Sequence, residues 1–90
     1  VLAVDGYGER ENVRLGDVIT GLDDALNMEH VFVFHAGTQR RSDGVFVTAR
    51  GRALNVVGLG RTLREARDRA YKTVACISFN GMWYREDIGL

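Results

Sequence analysis

Val31-Phe32-Val33-Phe34-His35-Ala36-Gly37-Thr38-Gln39, then Arg40-Arg41-Ser42-Asp43-Gly44, then Val45-Phe46-Val47-Thr48-Ala49-Arg50-Gly51-Arg52-Ala53-Leu54-Asn55-Val56-Val57-Gly58-Leu59 is the stretch whose reading decides the fold. Val31 to Phe34 is a continuous apolar run of β-branched and aromatic residues. That composition predicts a strand covered on both faces. Ser42-Asp43-Gly44 is a tight-turn signal leading into Val45-Phe46-Val47. Ala49-Arg50-Gly51-Arg52 is a second tight connection, and Ala53 to Leu59 reads as a third strand. Three sequential strands with short links predict an antiparallel meander. His35, Gly37, Thr38, Arg50, Gly51 and Arg52 stand where the apolar runs end, so the connections are where a ligand would be held.

Downstream lies the one long helix, expected from Thr62 to about Ser78. Thr62 with Glu65 three residues on has the form of a capping box, each side chain able to satisfy the other residue's free N–H. Leu63, Ala66, Ala70, Val74 and Ile77 form an apolar stripe at helical period, which predicts that the helix covers one side of the meander. Glu65–Arg69 and Asp68–Lys72 are i,i+4 pairs in the favourable order, worth ~0.3 kcal/mol each. Phe79 to Tyr84 reads as a bent aromatic segment, and an Arg85–Asp87 ion pair is expected to tie down the tail. Upstream, Val1 to Val4 reads as a strand entering a turn at Asp5-Gly6-Tyr7-Gly8, and Glu9 to Arg14 as solvated. Leu15 to Leu22 fits a strand or a helical turn, and Asp23 to Glu29 one helical turn.

Ninety residues, 46% of them hydrophobic, are enough for one domain with one core. Stability on the order of 5 kcal/mol or less follows from the size. Twelve basic and twelve acidic residues cancel, so there is no long-range field to gather nucleic acid or an anionic membrane. Arg40, Arg41, Arg50 and Arg52 lack a clear stacking platform that would make them a nucleic-acid surface. Cys76 is the single cysteine. It allows neither an internal disulfide nor a cysteine metal cage, reads as an inert buried thiol, and suits a reducing cytosol. No run reaches the ~18 apolar residues of a membrane span, and the first residues do not form a signal peptide. A chain that opens in mid-strand without Met is expected to be part of something larger.

Arg50-Gly51-Arg52 is the strongest anion candidate, because guanidinium forks match phosphate oxygens in pairs. Its plain alternative is a solvated hairpin tip. His35 has two readings: a donor to a sugar hydroxyl or phosphate, or a ring that bonds backbone at a strand end. Gly58-Leu59-Gly60 before the helix lacks the third glycine and the Lys-Ser/Thr of the strong phosphate loops. Two histidines without spaced acidic partners make no metal motif. The hydroxyls of Thr38, Ser42 and Thr48 have no base placed beside them. Asp23, Asp24, Glu86 and Asp87 come as neighbours that face apart, so they are poor acid/base pairs. These residues do not make a self-sufficient active site.

The ordered set Phe34-His35-Ala36-Gly37-Thr38, Thr48-x-x-Gly51-Arg52-x-Leu54-x-Val56, Leu59-Gly60-x-Thr62-Leu63-x-Glu65-Ala66-Arg67, Ala70-Tyr71 and Tyr84-Arg85-x-Asp87-Ile88-Gly89 resembles the C-terminal domain of phosphoribosylamine–glycine ligases. Gly6-Tyr7 and Gly16-Asp17-Val18-Ile19-Thr20-Gly21 fit the same pattern. The resemblance implies an ATP-grasp ligase of purine biosynthesis that joins glycine to 5-phosphoribosylamine. ATP and Mg²⁺ would be bound by upstream ATP-grasp domains, which would be this domain's partners beside the ribonucleotide substrate. It also implies an α+β, mostly antiparallel, barrel-sandwich-like sheet with one long packed helix. By position, the substrate-binding residues would be Arg52 and Gly51 on the turn, with His35, Gly37 and Thr38 on the adjacent strand end. Arg50 and Ala53 stand where the family usually has Gly and Val, and Gln39 where a basic residue often follows. Gln39 and Arg50 are what supports the other reading, a stand-alone binding module without ligase activity.

Overall fold

The computed structural model describes residues 1–4, 6 and 14–90. Its elements are β1 (Leu2–Ala3), α1 (Leu22–Leu26), β2 (Val31–His35), β3 (Thr38–Arg40), β4 (Phe46–Thr48), β5 (Arg52–Gly58) and α2 (Leu63–Val74). The expected architecture holds: small, α+β, antiparallel, with one long helix on the sheet. The strand order differs from a meander. β5 lies at the centre of a three-stranded sheet ordered β1-β5-β2, while β3 and β4 pair only with each other. The described residues do not close a barrel. The turn expected at Asp5–Gly8 and the polar stretch after it fall, apart from Gly6 and Arg14, outside the described residues.

The departure has a local cause. The stretch expected as one strand and its tail is two strands, β2 and β3, broken at Ala36-Gly37. In the β2–β5 ladder His35 faces Leu54, and in the β3–β4 ladder Thr38 faces Thr48. Between those two pairs, Ala36 and Gly37 oppose the five residues Ala49 to Ala53. A ladder with so uneven a count cannot run straight, and it bends as an extended bulge does. The long ribbon turns a corner there. Ala36 and Gly37 donate to the Ala53 carbonyl at 3.0 and 3.1 Å, while Ala49 and Arg50 donate to the Gly37 carbonyl at 2.7 and 3.0 Å. The surplus residues Arg50-Gly51-Arg52 form the outside of the bend.

Helix α2 begins where its sequence predicts, but only the Thr62 half of the expected capping box forms. Thr62 is the N-cap in extended conformation, and its hydroxyl accepts the Glu65 N–H at 3.1 Å. The Glu65 carboxylate pairs with Arg69 at 2.5 Å. Asp68 and Lys72 do not close to ion-pair distance among the described residues. The helix ends at Val74, short of the expected Ser78, because Ser78 is claimed by another partner. Thr20 and Ser78 exchange backbone hydrogen bonds of 2.8 and 3.0 Å, which pulls Ile77-Ser78 out of helical conformation. Leu63, expected in the apolar stripe, is 69% exposed. Thr62→Ala removes the cap bond, and we expect a loss of ~1 kcal/mol, read as a lower urea midpoint with an unchanged slope.

The core gathers Leu2, Val4, Ile19, Ala25, Ala53, Leu54, Val74, Ile77 and Phe79. β1 is held on both sides, by β5 and by the exchange of backbone bonds between Ala3 and Trp83 at 2.7 and 2.8 Å. Cys76 is half-buried, not the fully buried thiol expected. The Arg85–Asp87 pair forms at 2.9 Å. It bridges residues two apart, so it does not anchor the tail to the body. That work falls to α2: Arg67 donates to the Ile88 and Glu86 carbonyls at 3.0 and 2.7 Å, and the Tyr71 hydroxyl donates to Arg85 O at 2.5 Å.

At the β3–β4 tip, Asp43 accepts from Arg41 at 2.6 Å and from the Val45 N–H at 3.2 Å. The Arg41 hydrogen bond is the main reason the Asp43 carboxyl is held down to about 2 from an ordinary 3.8. Because the folded value is the lower one, the contact supports the tip above pH 3.8 and is lost as pH falls through about 2. We expect the Asp43 carboxyl carbon to titrate near that low value by NMR, and the Arg41→Gln variant to bring it back toward 3.8.

Candidate functional site

The corner of the ribbon is concave on the side of its surplus loop. Val1, Ala36, Gly37, Arg50, Gly51, Arg52 and Asn55 line a cleft of about 390 Å³, a volume within the range of small-ligand sites. Gly37 is required by the bend. A Cβ there would stand 2.6 Å from both Arg50 Cβ and Arg52 O, so any other residue would push the two arginine-bearing backbones outward. The Gly51 carbonyl accepts the Val4 N–H at 2.9 Å, which fastens the tip of the loop to the end of β1.

The two arginines are placed differently. Arg50 folds back across the bend and donates to Ala36 O at 3.1 Å. Arg52 opens β5, is exposed, and its guanidinium has no protein partner at hydrogen-bond distance among the described residues. Asn55 is half-buried on the same strand and supplies the cleft's neutral donor and acceptor. Among the described residues the lining carries two guanidinium groups and no carboxylate. It suits a small anion with hydroxyls attached, because each guanidinium can bind two oxygens of a phosphate.

Of the five residues singled out from the sequence, Gly37, Gly51 and Arg52 come together in this cleft. His35 and Thr38 do not join them. His35 Nδ1 and Thr38 Oγ1 are hydrogen-bonded at 2.7 Å, and the His35 ring stacks at 4.5 Å on Phe46. His35 lines a second concavity, of about 550 Å³, with Asp23, Asp24, Arg40 and Phe46 among its walls. The cause is the break in the ribbon: alternation alone would put residues two apart on one face, but β2 ends at His35 and the chain turns at Ala36-Gly37, so His35 stays on the Val31–Val33 side while Gly37 lies inside the bend. Sequence reasoning passed over Asn55. The signal was available, a lone amide inside the apolar run Ala53 to Val57.

Among the described residues no group of three or more His, Cys, Asp or Glu is arranged to hold a metal ion. The cleft does not fit Mg²⁺, which takes oxygen ligands and usually carboxylates. Nor does any helix of the described residues have the length and apolarity to cross a membrane. The groups gathered here are hydrogen-bond donors and cations, chemistry suited to holding an anion.

The family described as "Phosphoribosylglycinamide synthetase, C domain" matches residues 1–90. Similar curated proteins are phosphoribosylamine–glycine ligases. That of Streptomyces coelicolor is 51% identical over 77 residues, covering 83% of this chain and 18% of the relative. That of Caulobacter vibrioides is 46% identical over 89 residues, covering 99% of this chain and 20% of the relative. The crystal structure of the phosphoribosylamine–glycine ligase of Thermotoga maritima superposes with a TM-score of 0.73 at 35% identity, over 97% of this chain and 20% of that one. The chain thus spans about a fifth of the length of the relatives it matches.

Proposed function

The chain belongs to the family of phosphoribosylglycinamide synthetase C domains, and from that membership we propose that it is the substrate-side domain of an ATP-dependent ligase joining glycine to 5-phosphoribosylamine. The products of that reaction are glycinamide ribonucleotide, ADP and phosphate, an early step of purine biosynthesis and a cytosolic one. ATP and Mg²⁺ belong to the part of the enzyme outside this chain, as does the activation of glycine. This domain binds the ribonucleotide and holds its amine in line.

In this reading Arg52 takes the 5′-phosphate, with Arg50 beside it. Gly37 lets the two arginine-bearing backbones close in, Gly51 leaves the loop tip without a side chain, and Asn55 meets the ribose hydroxyls. His35 and Thr38 keep the corner in shape through their mutual bond and do not touch this phosphate. Binding energy gathered at the phosphate, remote from the reacting nitrogen, goes into orienting the nucleophile. The observation that carries the proposal is a pair of arginines on one lip of a cleft with no carboxylate among its described residues, in a chain matched along its whole length by the family.

A competition experiment on the full-length enzyme tests it. Ribose 5-phosphate should compete with phosphoribosylamine, and ribose should do so ~30-fold less well or worse, the difference a charged, hydrogen-bonded phosphate contact makes. Equal inhibition by the two sugars would remove the phosphate from the cleft.

A further inference from the structure

Strand β2 was expected to be covered on both faces, and it is covered on one. Val33 and Val56 lie opposite each other, as do Val31 and Gly58, and this side of the β2–β5 pair packs under α2, where Gly58 meets Ala66 and Ala70. The other side is half-exposed, with no helix or strand over it among the described residues. Phe32 faces Val57 and Phe34 faces Asn55, and residues directly opposite in an antiparallel pair project from the same face. Phe32 is 53% exposed, Phe34 54%, Val57 39% and Leu59, just beyond on the same strand, 48%. The two phenylalanine rings stack at 6.2 Å. The Cα atoms span only 16 Å in the thinnest direction, room for the two layers, sheet and helix, that the described residues form. A contiguous apolar face of this kind on a domain's surface marks an interaction site.

Resting on the family reading above, we infer that this face is where the remaining four-fifths of the ligase chain seats, and that the seated part closes the cleft. Three observations choose that occupant. The relatives carry about four times as much chain outside the matched region as within it. The half-exposed face runs directly into the cleft: Asn55, the partner of Phe34, is also part of the cleft lining. A body resting on Phe32 and Phe34 therefore becomes the missing wall over Arg50 and Arg52. That lining suits an anion but carries no carboxylate among the described residues, so the closing wall has to bring reactive groups. A second copy of this chain would bring only another basic cleft, whereas the rest of the same chain is where the proposed ATP and Mg²⁺ sites lie.

Hydroxyl-radical footprinting of the full-length wild-type protein, kept monomeric as checked by sedimentation, tests the inference without a variant. Protection is measured against the urea-denatured chain. Phe32 and Phe34 should be protected about tenfold or more, as buried Phe79 is, since a specific interface excludes water from its centre. Protection of about twofold, in line with half-exposed rings, overturns the inference. Protection that vanishes on dilution assigns the face to a second copy and also overturns it. A Phe32→Glu/Phe34→Glu double variant adds a second readout. It should split one thermal transition into two and expose the face, while the Arg52→Ala variant leaves both the transition and the footprint unchanged. Failure of phosphate competition with an intact footprint would fault the phosphate assignment alone.

Discussion

Arg52→Ala in the full-length enzyme is expected to lower kcat/KM for phosphoribosylamine by roughly 30- to 1000-fold, equivalent to about 2–4 kcal/mol. The size follows from what is lost. Arg52 has no competing protein partner among the described residues and lies on the open lip of the cleft, so its guanidinium is available to bind a dianion through two parallel hydrogen bonds. Arg50→Ala should cost less, because Arg50 already spends a donor on Ala36 O at 3.1 Å. Arg52→Lys should recover only part of the loss, since an ammonium keeps the charge but not the fork. KM for ATP should stay as it is. A fall in kcat/KM that Arg52→Lys fully restores would mean that a field, not a paired contact, is at work. Unchanged kinetics in Arg52→Ala would take the residue out of the site.

Gly58→Ala is the second large effect, on stability. A Cβ at residue 58 would drive into the Ala66 carbonyl and come within 2.8 Å of Ala70 N and 3.1 Å of Ala70 Cβ. Two of these are backbone atoms of α2 and the third is a Cβ fixed to its backbone, so they cannot swing aside as a long side chain can. The helix must lift from the sheet, taking Val74 out of the core it shares with Leu54. Loss of about 3 kcal/mol fits overpacking against backbone. That is a large fraction of what a domain of this size has. The control is one residue away: Val57 points to the opposite face and is 39% exposed, so Val57→Ala should cost under ~1 kcal/mol. Urea midpoints of the two variants give the comparison. Equal losses would mean that α2 does not lie on Gly58 as described.

Much of this was readable before any coordinates. Thr62 and the spacing of Ala66, Ala70 and Val74 place α2, because capping and helical period are short-range properties that residues within one turn settle among themselves. Ser42-Asp43-Gly44 places the β3–β4 tip for the same reason. The arginine-bearing loop was legible as an anion candidate, and Gly37, Gly51 and Arg52 do meet. Asn55 went unread because its partners lie on strands that are distant in sequence.

The remainder depended on which strand lies beside which. An apolar run such as Val31 to Phe34 has the same character on both faces, so alternation cannot say which face is covered; the covering helix, which reaches one side only, answers that. Nor can spacing reveal that two residues oppose five at the bend, since the count exists only once β2 has paired with β5 and β3 with β4. That mismatch makes the corner, gives the cleft its arginines and turns His35 to the other side. Short-range chemistry chooses the elements. Long-range register, a property of pairs of segments and not of either one, chooses what the elements bring together.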